Sequence, residues 1–156
     1  MPRSATWQLV PLPYIFEKAI ACCIPDSGRV VVVSYEGAHD IRLGPPLTIT
    51  TDESDPEGNE MYDLDRDEMT VDGRAHPAMG LYGGCPHPTT ADGLRLHVDV
   101  PANVVEVRDG TGAVVVRSDH NDYPPGWLVA SFSADGALLV VATPEDVLCW
   151  RRHATT

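Results

Sequence analysis

No apolar run in these 156 residues is long enough to cross a bilayer, so a membrane-spanning helix is not expected. The opening residues, Met1-Pro-Arg-Ser-Ala-Thr-Trp7, lack the apolar core of a secretory signal, and the expectation is a cytoplasmic protein. Basic side chains are scarce: 11 Lys and Arg stand against 23 Asp and Glu, for a formal charge of −12. Such a surface repels nucleic acid and anionic membranes and leaves a basic protein as the electrostatically favoured partner. Cysteine is limited to Cys22, Cys23, Cys85 and Cys149, none spaced as zinc ligands usually are. Neighbours on a strand point to opposite faces, so Cys22 and Cys23 cannot readily bond to each other; free buried thiols are expected. A phosphate loop, a nucleophile elbow and a dinucleotide fingerprint are all missing, and no cofactor or resident metal is expected. Helical periodicity is missing as well, and 14 Pro and 13 Gly punctuate the chain.

What is present is a repeated phrase. Ala21-Cys-Cys-Ile-Pro-Asp-Ser-Gly28 leads into Arg29-Val-Val-Val-Val33. Cys85-Pro-His-Pro-Thr-Thr-Ala-Asp-Gly93 leads into Leu94-Arg-Leu-His-Val-Asp-Val100, and Ala130-Ser-Phe-Ser-Ala-Asp-Gly136 into Ala137-Leu-Leu-Val-Val141. Each reads as strand, Gly-ended turn, strand. Third strands follow at His39–Leu43, Val104–Arg108 and Val147–Trp150, and fourth strands at Leu47–Thr50 and Ala113–Arg117. The last unit lacks a fourth strand, while Thr6–Val10 is one strand in excess at the other end. Pairing the two would use every strand once and remove an exposed edge.

From Val105-Glu-Val-Arg-Asp-Gly-Thr-Gly112 onward, and above all in Phe132-Ser-Ala-Asp-Gly-Ala-Leu-Leu-Val-Val with Val147-Leu-Cys-Trp-Arg, the chain resembles WD40-type repeats. The resemblance covers roughly the last 70 residues best. The Gly-His and Trp-Asp dipeptides of that family are absent, so its buried hydrogen-bond network is not implied. It implies blade-like antiparallel sheets and, by analogy, a scaffold or binding role. The expected fold is therefore one all-β domain over residues 1–156, with antiparallel four-stranded blade-like repeats in a propeller-like arrangement. Three repeats fall short of the usual four to eight blades. A homodimer, closure by the N-terminal strand, or an irregular fourth unit at 51–77 would each supply what is missing. A β-sandwich or β-barrel is the alternative.

Three groups of residues are candidates for function. Between Asp52 and Asp72 lie ten acidic residues and only Arg66, which reads as a solvated acidic insertion or loop over 51–77. Asp63, Asp65, Asp67 and Glu68 are its candidate partner-binding residues, suited to a cationic surface. Asp63-Leu-Asp-Arg-Asp67 has the first spacings of a calcium loop, but Glu68 stands where the turn glycine belongs. His97 and Asp99 share a strand face and could act as base and orienting partner. Cys85 and His87 flank Pro86 in a Gly-rich turn, a thiolate–imidazole pairing that i, i+2 spacing rarely permits. Gly83 and Gly84 read instead as residues of an inner strand crowding a central axis. Six aromatic residues (Trp7, Tyr14, Phe16, Tyr123, Trp127 and Trp150) gather near the ends of the chain, where the shared sheet would form.

Two functions follow as expectations. The first is a non-catalytic protein-interaction module, of the inhibitor or immunity type, that binds a basic partner. The second is a small-molecule binder or enzyme with a pocket at the ring axis or barrel mouth, using Cys85, His87, His97 and Asp99.

Overall fold

The computed structural model describes residues 5–13, 18–54, 60–120 and 126–154. Among them there is no helix, only antiparallel strands in four sheets. Sheet I takes β13 (Val129–Phe132), β14 (Leu138–Ala142), β15 (Val147–Ala154) and β1 (Ala5–Val10), in the order β1-β15-β14-β13. Sheet II is β2 (Ala19–Asp26), β3 (Arg29–Ser34), β4 (Gly37–Arg42) and β5 (Thr48–Asp52), with β9 (Met79–Gly80) added beside β2. Sheet III is β6 (Tyr62–Asp63), β7 (Glu68–Val71) and β8 (Arg74–Pro77); sheet IV is β10 (Arg95–Asp99), β11 (Val104–Arg108) and β12 (Val114–Asp119). None of the four closes into a barrel.

The excess N-terminal strand completes the last sheet of its own chain: Trp7 lies opposite Arg152 and Leu9 opposite Trp150. Of the two readings of 51–77, a solvated loop and an irregular fourth unit, the described residues form the second. Tyr62–Pro77 folds as sheet III, with Tyr62, Met69 and Val71 buried, so one chain supplies four sheets rather than three. Residues 55–59 of that stretch, among them Asp55 and Glu57, lie outside the described residues, as do Tyr14, Phe16 and Tyr123. The first strand of the second repeat is corrected. Pro86 and Pro88 lack amide donors, and only the single bridge Thr89–Arg95 forms where a hairpin ladder was expected.

The sheets stack face to face in the order III–II–I–IV. Cys22, Val30, Val32 and Ile41 of sheet II meet Leu138, Val140 and Cys149 of sheet I in one core. The alternate residues of sheet I, with Phe132, Leu139 and Val141, meet Val105, Val107 and Val116 of sheet IV. Those of sheet II, Cys23, Val31 and Val33, meet Tyr62 and Met69 of sheet III. Strand side chains alternate between faces, so a strand buried on both sides must be apolar without interruption. Leu138–Ala142 and Val30–Val33 meet that requirement, each residue being at most 2% exposed.

Polar contacts pin the layers at their turns. Thr90-Ala-Asp-Gly93 and Ser133-Ala-Asp-Gly136 use one device: the hydroxyl donates to the Asp carboxylate (2.6 and 2.7 Å) and the Gly amide to the Thr or Ser carbonyl (3.1 and 2.9 Å). The third turn differs, with Asp26 Oδ1 accepting from the Gly28 amide at 2.8 Å. Arg152 Nη1 donates to Asp92 Oδ1 at 3.0 Å while its guanidinium lies 5.6 Å from the Trp7 ring centroid, joining sheet IV to sheet I. Arg29 donates to both oxygens of Asp40 (2.9 and 2.8 Å) and to Asp72 (2.5 Å), joining sheet II to sheet III.

Candidate interaction surface

Of the four residues proposed for chemistry, His97 and Asp99 share one depression, and Cys85 and His87 lie away from it. His97 and Asp99 are exposed on β10 and border a depression of about 540 Å³ on the outer side of sheet IV. Opposite His97 across the ladder stands Glu106, which receives Arg108 at 2.8 Å and Arg117 at 3.1 Å; these guanidinium contacts hold its carboxyl below the usual range. Asp99 accepts the Ala102 amide at 3.1 Å and so caps the β10–β11 turn. His87 lies elsewhere, its amide donating to Ser131 Oγ at 3.0 Å and its carbonyl accepting from Phe132 at 3.0 Å. It lines a void of about 20 Å³ with Cys22, Met79 and Phe132, too small for anything beyond a single water. Cys85 is exposed and lines neither space, and what desolvation it experiences raises its thiol above the ordinary value. The interior thiols shift the same way: burial pushes Cys23 and Cys149 up to about 12 and raises Cys22 as well, which disfavours the thiolate.

The acidic candidates separate into two pairs. Asp63 Oδ1 accepts the amides of Asp65 (3.0 Å) and Arg66 (3.2 Å), which folds the β6–β7 turn. Asp67, in the left-handed region at φ 53°, accepts the Tyr62 hydroxyl at 2.7 Å, and its carbonyl accepts the Ala78 amide at 2.9 Å. Burial and that bond to Asp67 raise the Tyr62 phenol well above its ordinary value. Asp67 and Glu68 are thus half-buried parts of the hairpin, while Asp63 and Asp65 are exposed to solvent. The calcium spacing is spent on these local bonds, and among the described residues no three His, Cys, Asp or Glu side chains gather to hold a metal ion.

Beside Asp63 and Asp65 lies a groove of about 690 Å³. Its apolar lining includes Tyr35, Leu64, Leu81 and Tyr82, which are 51–64% exposed. Leu64 is at the tip of the β6–β7 hairpin and Tyr35 in the β3–β4 turn. Leu81 and Tyr82 are held out by a tight turn in which Gly80 and Gly83 exchange amide–carbonyl bonds of 2.9 Å. A Cβ on Gly80 would sit 2.3 Å from the Ile20 carbonyl oxygen, and Gly83 has φ +85°, so both positions require glycine. Crowding also explains Gly84, whose Cβ would approach the Ala78 carbonyl oxygen at 2.7 Å; Gly83 faces open space, contrary to the expectation for that pair.

No protein-family model matches the chain, and no characterised protein matches it in sequence.

The groove residues outside the acidic segment were not singled out from the sequence. A signal was there: Gly80-Leu-Tyr-Gly83 and Ser34-Tyr-Glu-Gly37 put large apolar side chains in turns, positions that polar residues usually fill. Tyr35, Leu64, Leu81 and Tyr82 make one contiguous lining with Glu60, Asp63 and Asp65 at its border. Isolated exposed apolar residues are ordinary on a protein surface, whereas a grouped set rimmed by charge marks a binding surface.

Proposed function

We propose that this chain is a non-catalytic protein-interaction module that binds a basic protein partner, as an inhibitor or immunity-type protein does. The observation that carries the reading is the groove on the sheet II–sheet III side, where the exposed side chains of Tyr35, Leu64, Leu81 and Tyr82 are grouped with the carboxylates of Glu60, Asp63 and Asp65. Electrostatic complementarity of this kind steers a cationic partner and selects against anionic ones. His97 and Asp99 share one depression while Cys85 and His87 lie apart from it, and this partial dispersal favours a binding role over catalysis by the four together. In this reading the four sheets, blade-like as in WD40-type repeats but packed as an open stack, serve as the scaffold. A cytosolic setting suits the free thiols Cys22, Cys23 and Cys149, and among the described residues no helix is long and apolar enough to cross a membrane.

Removing residues 52–72 is unsuitable as a test, because Tyr62, Met69 and Val71 cover sheet II. Charge neutralisation is better. Calorimetric titration with poly-L-lysine should show binding that weakens about tenfold or more as salt rises to ~0.3 M. Asp63→Asn with Asp65→Asn should weaken it much further than the charge-matched control Asp99→Asn with Glu145→Gln. Equal losses in both variants would leave only a general attraction between opposite charges and defeat the proposal.

A further inference from the structure

The geometry points to a particular occupant of the groove: a short linear cationic segment carrying one bulky apolar side chain. This rests on the binding role proposed above and specifies how that role is performed. The acids and the apolar side chains line one groove. Asp63 and Asp65 stand at the exposed rim of the β6–β7 hairpin, while Met61 and Ile20, both only partly buried, contribute to the wall between the hairpin and the 80–83 turn. A cationic group alone reaches the carboxylates and leaves the apolar side chains of the groove uncovered. A linear segment satisfies both, with Lys or Arg beside the carboxylates and an aliphatic or aromatic anchor between Leu64, Leu81 and Tyr82.

The chemistry of the lining favours the same occupant. Tyr35 and Tyr82 present aromatic faces, which attract ammonium and guanidinium groups as well as apolar ones. A space of about 690 Å³ exceeds what one anchor side chain fills, so room remains for the flanking aliphatic stems of Lys or Arg. Three separate turns supply the contacts, and those at 63–67 and 80–83 are fixed by their own hydrogen bonds. The receiving surface is therefore formed before the ligand arrives, which lowers the ordering cost of binding.

The test compares two short lysine peptides of equal charge, one with a central leucine and one with glycine there, by fluorescence anisotropy at fixed salt. The leucine peptide should bind about tenfold or more tightly, the ratio expected for burying one aliphatic side chain. Leu64→Ser with Tyr82→Ser, both well exposed and so tolerable to the fold, should abolish that ratio while weak salt-dependent binding of both peptides persists. Chemical-shift changes on the wild-type protein should centre on Leu64, Leu81 and Tyr82. Equal binding of the two peptides to wild type would overturn this inference and leave the acidic-surface reading standing. Failure of both peptides to bind would remove both. A glutamate peptide with central leucine that binds as well as the lysine one would reduce the groove to a non-selective apolar patch and overturn the cationic assignment.

Discussion

The inner and outer sheets of the stack are made of the same strand-forming residues arranged to different rules. In β14 of sheet I every residue from Leu138 to Ala142 is buried, whereas β12 of sheet IV alternates, with Val116 and Ser118 buried and Val115 and Arg117 exposed. Strand periodicity thus carries more than the existence of a strand. An unbroken apolar run places its sheet between two others, and alternation places it at an end of the stack. The two ends also differ from each other. Sheet IV neutralises its outward Glu106 with Arg108 and Arg117. On the sheet III hairpin the ion pair of Arg66 with Asp63 is long, at 4.0 Å, and both side chains are largely exposed. One end is a compensated surface; at the other the Arg66–Asp63 pair is long and solvent-exposed.

A matched pair of substitutions breaks this comparison most directly. Val140→Ala, in the core shared by sheets I and II, should cost about 2–3 kcal/mol through lost burial and an unfilled cavity. Val115→Ala, on the exposed side of β12, should change stability by no more than about 0.5 kcal/mol. Urea denaturation of both variants checks the ratio, and similar costs would mean that the sheets do not stack as described.

A buried histidine gives the next effect. His39 is fully buried in sheet II, with Nε2 2.8 Å from Ser34 Oγ and Nδ1 3.0 Å from Thr51 Oγ1. Desolvation lowers its pKa, opposed in part by the Glu36 charge. The unfolded chain therefore takes up the proton first on acidification. Stability is complete above the ordinary histidine pKa of about 6.5 and is lost as pH falls through that value towards the depressed one. In His39→Asn this component of the pH slope should disappear from melting temperatures measured between about pH 7 and 5.

The smallest effect concerns the tie between sheets IV and I. Arg152 holds the Asp92 carboxyl below its usual range, but Asp92 is 55% exposed and its contribution is screened. A double-mutant cycle of Arg152→Ala with Asp92→Ala should give a coupling of about 0.5–1 kcal/mol. The coupling is present above the ordinary carboxylate pKa of about 3.9 and lost as pH falls below it.

Much of the fold was legible because strong strands and Gly-ended turns announce themselves. Val104–Arg108 was delimited to the residue, and the surplus strand at Thr6–Val10 indicated its partner. Sheet III was obscured by charge. Its acids suggested a solvated loop and the missing blade an irregular fourth unit; Val71-Asp-Gly-Arg74, with the Asp-Gly signal of a tight hairpin, decides for the second, and Asp72 and Gly73 adopt φ 52° and 77°. The site was half legible for a related reason. Charge density on one segment reads directly from sequence, whereas the apposition of Tyr35, Leu64 and Leu81 depends on how two sheets pack.

The pairing of β1 with β15 has a consequence for the order of events during folding. Sheets II and III form from neighbouring stretches of chain, but sheet I, against which sheets II and IV lean, joins β1 to β15 across the strands between them. Its closure is the long-range step, and loop-closure entropy makes such steps slow. Until then the valine-rich faces of sheets II and IV lack their cover, and uncovered apolar sheet faces favour aggregation.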